Sequence, residues 1–200
     1  MTTAAGSTAR STRVRKITVL RWQDARERRL PFQRKIGAGL TQEEFRARTV
    51  EGSLRHIGLT ESVHMIAAGL GWPLSRTEDR IEPVIASEAV SSAEIAVPAG
   101  GIAGVHQLGL GYVGAQERIR LDFRACVGEP EPQDTIIIEG EPGLRISIPG
   151  GIHGDVATCA ILTNAIRSVL AAPPGLHTVL DLPPITWCSD RHARSDAAAE

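Results

Sequence analysis

The residues best suited to chemistry gather at a glycine-rich turn that runs into a helix, Pro149-Gly150-Gly151-Ile152-His153-Gly154-Asp155. Gly150, Gly151 and Gly154 permit positive φ and close approach of a ligand to the backbone. A helix N-terminus exposes N–H groups and the positive end of its macrodipole, so it favours a carboxylate or a phosphate. Two readings stand. Either the turn holds an anionic ligand, or the glycines only make a tight strand-to-helix turn and Asp155 fills the anion position itself. His153 lies inside this turn, where it is either an acid/base group or an exposed turn residue. His106 is a second candidate proton carrier, in the run Gly104-Val105-His106-Gln107-Leu108-Gly109, with a solvated sheet face as the alternative. Asn164 is polar inside an apolar helix and needs a buried partner or a ligand. Glu61 stands in the first turn of another helix, where the dipole favours a carboxylate. Arg118, Arg120 and Arg124 either grip a substrate carboxylate or form a solvated strand face. Arg55, His56 and His64 lie close in sequence but lack ligand spacing for one helix, so no metal is expected.

The elements that position these groups follow from periodicity. After the turn, Asp155 is a good N-cap, and Val156, Cys159, Ala160, Ala165, Ile166, Val169 and Leu170 recur at helical spacing. Ile161 and Leu162 widen this stripe until the helix is apolar nearly all round, which predicts a central, buried element ended by Pro173-Pro174-Gly175. Cys159 is then core. Val14 to Trp22 reads as a strand. Thr41-Gln42-Glu43-Glu44 is a capping box that starts a helix at Gln42. Gly58 to Pro73 is a second helix, which Thr60 can cap and Gly71 can close. Arg80 to Ala86 is a strand placed at an edge by Pro83. Gly100 to Val113 is either a glycine-weakened strand or a strand with a ligand packed close beside it. Glu117 to Val127 alternates cleanly, with Ile119, Leu121, Phe123, Ala125 and Val127 on one side, as in a half-buried antiparallel strand. Thr135–Glu139 and Leu144–Ile148 form a hairpin. Residues 87–98 carry no assignable pattern. The order predicts an α+β fold, a mixed or antiparallel open sheet with helices on one face.

Composition narrows the function classes. The chain is 42% hydrophobic but only 4% aromatic, so aliphatic side chains and alanine must build the core. The net charge is −1, yet residues 1–36 hold ten Arg and Lys against two acids. No aromatic residues interleave with that basic arm as a nucleic-acid stacking platform requires, so no nucleic-acid partner is expected. No apolar run reaches membrane-spanning length, and the N-terminus lacks a secretory apolar core; a cytoplasmic protein with no membrane partner is expected. Three widely spaced cysteines exclude a paired-cysteine zinc site. Residues 1–12 and 187–200 read as disordered tails around one domain, 13–186.

The stretch from Gly150 to Pro183 resembles the end of the C-terminal domain of the 2,4-diaminopentanoate dehydrogenases, relatives of dihydrodipicolinate reductase. The pattern includes Gly150, Gly151, Gly154, Asp155, Ala157, Thr158, Asn164-Ala165-Ile166, Pro174-Gly175-Leu176, Thr178 and Asp181-Leu182-Pro183. The run His56-Ile57-Gly58-Leu59-Thr60-Glu61-Ser62 fits the same family, and the likeness extends from about Val14 to Pro184. It implies an open sheet that binds substrate and mediates oligomerisation. It also marks His106 as a strand histidine facing the substrate. The expected catalytic pair is therefore His106 and His153, and the expected substrate-binding set is Gly150, Gly151, Gly154, Asp155, Thr158, Asn164 and Glu61. The ligand is expected in a pocket near His106 and the turn at 150–155.

Enzymes of this family carry an N-terminal dinucleotide-binding domain, opened by a strand and a Gly-x-Gly-x-x-Gly turn. Nothing ahead of Val14 reads as such a unit. The resemblance thus implies a substrate-binding and oligomerisation domain, with no cofactor bound by this chain alone and NAD(P)H reached through a separate Rossmann subunit. Two alternatives stand beside it: a cofactor-independent isomerase, lyase or cyclase that uses His106 or His153 as acid/base, and a non-catalytic small-molecule-binding module. A homo-oligomer is expected in each case.

Overall fold

A computed structural model describes residues 11–187. Strand β1 (Arg13–Asp24) is followed by helices α1 (Leu30–Lys35), α2 (Gln42–Val50) and α3 (Leu59–Leu70). Strands β2 (Arg76–Ile85), β3 (Val90–Ser91), β4 (Ala96–Val97), β5 (Ile102–Val113), β6 (Gln116–Cys126), β7 (Gln133–Glu141) and β8 (Leu144–Pro149) come next, and helix α4 (Gly154–Leu170) closes the series. These elements fall into two compact units, one ending at Gly151 and the other beginning at Ile152. Each is described by itself. The expected tails at 1–10 and 188–200 lie outside the described residues. Ser11 and Thr12, read as tail, are tied to the β7–β8 turn: the Thr12 N–H donates to the Glu141 carbonyl at 2.8 Å, and the Ser11 hydroxyl donates to the Pro142 carbonyl at 2.8 Å.

The first unit is a six-stranded sheet in the order β2-β5-β6-β1-β7-β8. β1 pairs parallel with β6 and antiparallel with β7, and the remaining pairs are antiparallel. This is the expected α+β fold with a mixed open sheet. The alternation in β6 correctly marks its buried side, since Ile119, Leu121, Phe123 and Ala125 are all at most 3% exposed. Its purely antiparallel reading is corrected by the parallel neighbour β1, because alternation reports burial on one face and not the direction of the partner strand. Pro83 sits on the edge strand β2, where its missing N–H leaves no ladder bond unmade.

The helices of this unit pack on the Ile119–Phe123 face, and the glycines of β5 explain how closely. A Cβ at Gly109 would lie 2.9 Å from Leu59 Cγ, and one at Gly111 would lie 2.6 Å from Val63 Cγ1. What approaches these glycines is helix α3 rather than a ligand. Ile17, Phe45, Leu54, Leu59, Val63, Ile66, Ile119, Leu121 and Phe123 join in one core. α2 begins at Gln42 with the predicted capping box, the Thr41 hydroxyl accepting from the Glu44 N–H. α3 is capped two residues ahead of the expected position: Gly58, in the left-handed region at φ 95°, is the N-cap, and Thr60 lies inside the helix. The short α1 and the β3–β4 ribbon were not foreseen, being too brief for a period to register.

The second unit overturns one expectation. α4 forms as predicted, but it has no buried residue. Val156 is 67%, Leu162 65%, Ile166 55% and Leu170 80% exposed. Cys159, read as core, is exposed too. Apolar composition shows that a helix seeks cover without showing what supplies it, and α4 is the one helix or strand described in its unit. His153, not Asp155, occupies the N-cap position, and Asp155 falls in the first turn. Among the described residues no helix is long and apolar enough to cross a membrane.

Candidate functional site

Strand geometry decides the partners of His106. Successive side chains of β5 point to opposite faces. Gln107 belongs to the helix-packed face, so His106 belongs to the other. There it is paired across β6 with Arg124 and diagonally near Asp122. His106 Nε2 lies 3.0 Å from Asp122 Oδ1. The same carboxylate oxygen accepts from the Trp22 indole N–H at 2.9 Å. Burial pushes the Asp122 carboxyl up. The hydrogen bonds from His106 and Trp22, with the charges of His106 and Arg120, outweigh that and leave it below the ordinary carboxylate value. His106 keeps 30% of its side chain exposed, against 15% for Asp122. An imidazole oriented by a carboxylate with one edge open is an arrangement able to exchange protons with a ligand.

The arginines of the same strand are already engaged. Arg120 donates to both Glu117 carboxylate oxygens at 3.0 and 2.9 Å. Arg124 Nε lies 2.7 Å from the buried Glu129 carboxylate, which also accepts from the Cys126 thiol at 3.3 Å. Burial and then the Glu129 charge push that thiol up to about 12. Arg118 donates to the Arg15 carbonyl at 2.7 Å.

The glycine turn is tight and internally bonded. Gly150 and Gly151 have φ of 79° and 68°, which only glycine adopts without strain. The Gly150 N–H donates to the Pro132 carbonyl at 2.8 Å and the Gly151 N–H to the Ile148 carbonyl at 3.1 Å. A Cβ at Gly151 would meet Asp134 Oδ2 at 3.7 Å. Asp134 pairs with Arg21 on the helix-packed face, so Gly151 neighbours the opposite side of the sheet from His106. His153, Gly154, Asp155, Thr158 and Asn164 belong to the second unit. Thr158 spends its hydroxyl on the Gly154 carbonyl at 2.7 Å. Asn164 is half-buried, His153 is exposed, and Glu61 is exposed in the first turn of α3.

Sequence reasoning passed over Asp122 as the partner of His106 and Trp22 as a partner of Asp122, because groups brought together on neighbouring strands leave no spacing signal. It also passed over His56, whose ring stacks on Phe123 with centroids 4.5 Å apart. Its one visible sign was its place in the His56–Ser62 run.

A nicotinamide dinucleotide is held where a strand, a glycine turn and a helix lead to a second, parallel strand. Among the described residues the parallel pair is β1 and β6, and no glycine follows β1 before Gly37. The Gly150–Gly151 turn follows β8, which is antiparallel to β7, and no described strand follows α4. These residues do not fit a dinucleotide site.

The first unit is thus an open mixed sheet with helices on one face and a carboxylate-oriented histidine on the other. The solved amine dehydrogenase from Mycobacterium smegmatis shares this fold, with a TM-score of 0.80 at 22% identity over 93% of this chain and 56% of that one. The chain belongs to the 2,4-diaminopentanoate dehydrogenase C-terminal domain family, whose sequence model matches residues 4–196. The 2,4-diaminopentanoate dehydrogenase of Acetoanaerobium sticklandii is 36% identical over 154 residues, which cover 74% of this chain and 43% of that protein. The chain thus spans less than half the length of this curated relative.

Proposed function

We propose that the chain is the substrate-binding and assembly domain of a 2,4-diaminopentanoate dehydrogenase-like oxidoreductase. It binds a small amino- or carboxylate-bearing metabolite, and a separate nucleotide-binding subunit holds NAD(P)H for hydride transfer. The observation that carries this reading is the family match over 4–196 on a chain whose described elements do not fit a dinucleotide site. The exposed apolar surface of α4 supports an assembly role, since contiguous apolar surface of that kind is usually covered by a partner or a second copy. The free thiols of Cys126 and Cys159 suit a reducing, cytoplasmic compartment.

The test combines the purified chain with the separately expressed nucleotide-binding half of the Acetoanaerobium sticklandii relative. The mixture is expected to form a complex by light scattering and to reduce NAD(P)+ with 2,4-diaminopentanoate, while neither half does so alone. Saturable quenching of the chain's tryptophans by NADH or NADPH without the partner would overturn the need for one. Absence of both complex and turnover would overturn the oxidoreductase reading.

The His106–Asp122 contact at 3.0 Å favours one second reading, a cofactor-independent isomerase, lyase or cyclase with His106 as acid/base. Turnover of such a substrate by the chain alone, lost in His106→Gln with the fold retained, would establish it. Binding without turnover in either assay would leave a non-catalytic binding module.

A further inference from the structure

On the face of the sheet opposite the helices, one cross-strand row runs His106, Arg124, Trp22. Asp122 stands two positions before Arg124 on β6. It is therefore the diagonal neighbour of both His106 on β5 and Trp22 on β1, a separation that aromatic side chains span. Arg124 lies between the two rings in the row, but its Nε is 2.7 Å from the buried Glu129 carboxylate. Asp122 is left to the rings, and both reach the same oxygen. The Trp22 indole nitrogen is 2.9 Å and His106 Nε2 is 3.0 Å from Asp122 Oδ1.

The chemistry of the partners settles where the protons lie. An indole nitrogen only donates. Burial pushes the Asp122 carboxyl up, but the bonds from His106 and Trp22 and the charges of His106 and Arg120 hold it below the ordinary value. At neutral pH it is ionised and only accepts. His106 Nε2 must then carry the proton of its contact, and in the neutral imidazole Nδ1 is an acceptor. Nδ1 has no hydrogen-bond partner among the described residues, and the His106 side chain is 30% exposed. Trp22 decides which atom of residue 122 the imidazole meets: its N–H needs an acceptor, so it keeps Oδ1 between the two rings.

We propose that Trp22 is a positioning residue that acts through Asp122 to hold His106 as its Nε2–H tautomer, so that Nδ1 meets the ligand and accepts from its amino end. The ligand half of this proposal rests on the small-metabolite reading above; the tautomer half stands without it. A carboxylate end, which brings no donor, finds no partner at Nδ1.

The test resolves the ring nitrogens of the histidines of the full chain by heteronuclear NMR at about pH 8.5, where imidazoles are neutral. Without ligand, the Nε2–H form of His106 is expected to exceed the other by about tenfold or more, as one charge-assisted bond supplies. Asp122→Asn alone should keep that form, because the Trp22 N–H still turns the amide oxygen inward. Trp22→Phe alone should keep it too, because a carboxylate has no proton to give. In the double variant the amide can turn its N–H to Nε2, and the Nδ1–H form should rise to a comparable population. A parent in the Nδ1–H form would overturn the tautomer. A double variant that folds with the parental preference would overturn the role of Trp22. A second readout needs no double variant: the Trp22 indole proton should move upfield in Asp122→Asn while those of Trp72 and Trp187 stay, and an unmoved Trp22 proton would overturn the contact.

The ligand half is read by titrating the parent with 2,4-diaminopentanoate and with pentanoate, which lacks both amines. The diamine is expected to shift His106 Nδ1 saturably and leave Nε2 protonated, and pentanoate to move neither. Saturable shifts at other histidines with His106 Nδ1 unmoved would overturn the assignment while the small-metabolite reading stands. If neither probe shifts any histidine, that reading falls and the ligand half with it, and the spectra without ligand still decide the role of Trp22.

Discussion

Substituting Gly111 by alanine tests the packing that shapes both faces of the sheet. The added Cβ would lie 2.6 Å from Val63 Cγ1 and 3.3 Å from both Ile119 Cβ and Leu74 Cδ2. Val63 and Ile119 are fully buried, so neither can swing away without displacing the core. Overpacking of this kind costs about 1–3 kcal/mol. Gly111 does not occupy the positive-φ region, so the alanine also restricts the unfolded chain and returns about 0.4–1 kcal/mol. The net expectation is a loss of about 1–2 kcal/mol, or a fall in Tm of roughly 3–6 °C for a domain of this size. Urea unfolding followed by tryptophan fluorescence should show a lower midpoint at unchanged slope. Val63→Ala removes the clashing methyl. The double variant should therefore lose less than the sum of the two single losses, by about 1 kcal/mol or more. A Gly111→Ala protein as stable as the parent, or strict additivity with Val63→Ala, would refute the claim that α3 rests directly on the backbone of β5. Gly109→Ala should cost less, because its nearest contact is a longer 2.9 Å to a leucine side chain. Gly104→Ala should cost most, since its Cβ would overlap the Ala125 carbonyl oxygen in the neighbouring strand.

Three further outcomes are expected. The Asp122 carboxyl is held below its ordinary value in the folded state. Its stabilisation is thus full above the unfolded carboxylate pKa of about 3.9 and is lost as pH falls through the lower folded value. The stability gap between parent and Asp122→Asn should narrow as pH is lowered through that window, and a gap that stays constant in urea titrations would remove the network. Cys126, buried with its thiol pushed up to about 12, should resist iodoacetamide at neutral pH and react only above the unfolding transition, as read by peptide mass mapping. Leu162→Glu and Ile166→Glu replace side chains that are 65% and 55% exposed. They should leave the circular dichroism of the chain unchanged and abolish complex formation with the nucleotide-binding half; a complex of parental affinity would show that α4 is not the assembly surface.

Most of the sheet was legible because its information is local. The alternation from Ile119 to Ala125, the capping box at Thr41–Glu44 and the proline at position 83 each act within a few residues, and each appears where it points. The family was legible for a different reason: the Gly150–Pro183 pattern is long enough to be specific, and the match over residues 4–196 bears it out. The histidine chemistry was less so. His106 could be singled out, but its carboxylate partner is sixteen residues away and its indole neighbour lies on a third strand. His56 was set aside for lacking metal spacing, when its position depends on Phe123 and Gln107 from two other strands.

By itself the sequence determined the longer strands and helices, the apolar side of β6, and the family to which the chain belongs, because periodicity, capping and motif order are properties of neighbouring residues. Only the tertiary structure decided that β1 runs parallel to β6. It alone set His106 and Gly151 beside opposite faces of the sheet, and it left α4 with its apolar side chains open. Those outcomes rest on strand register and on which surfaces meet, and such contacts join residues about a hundred positions apart, as with Trp22 and Asp122.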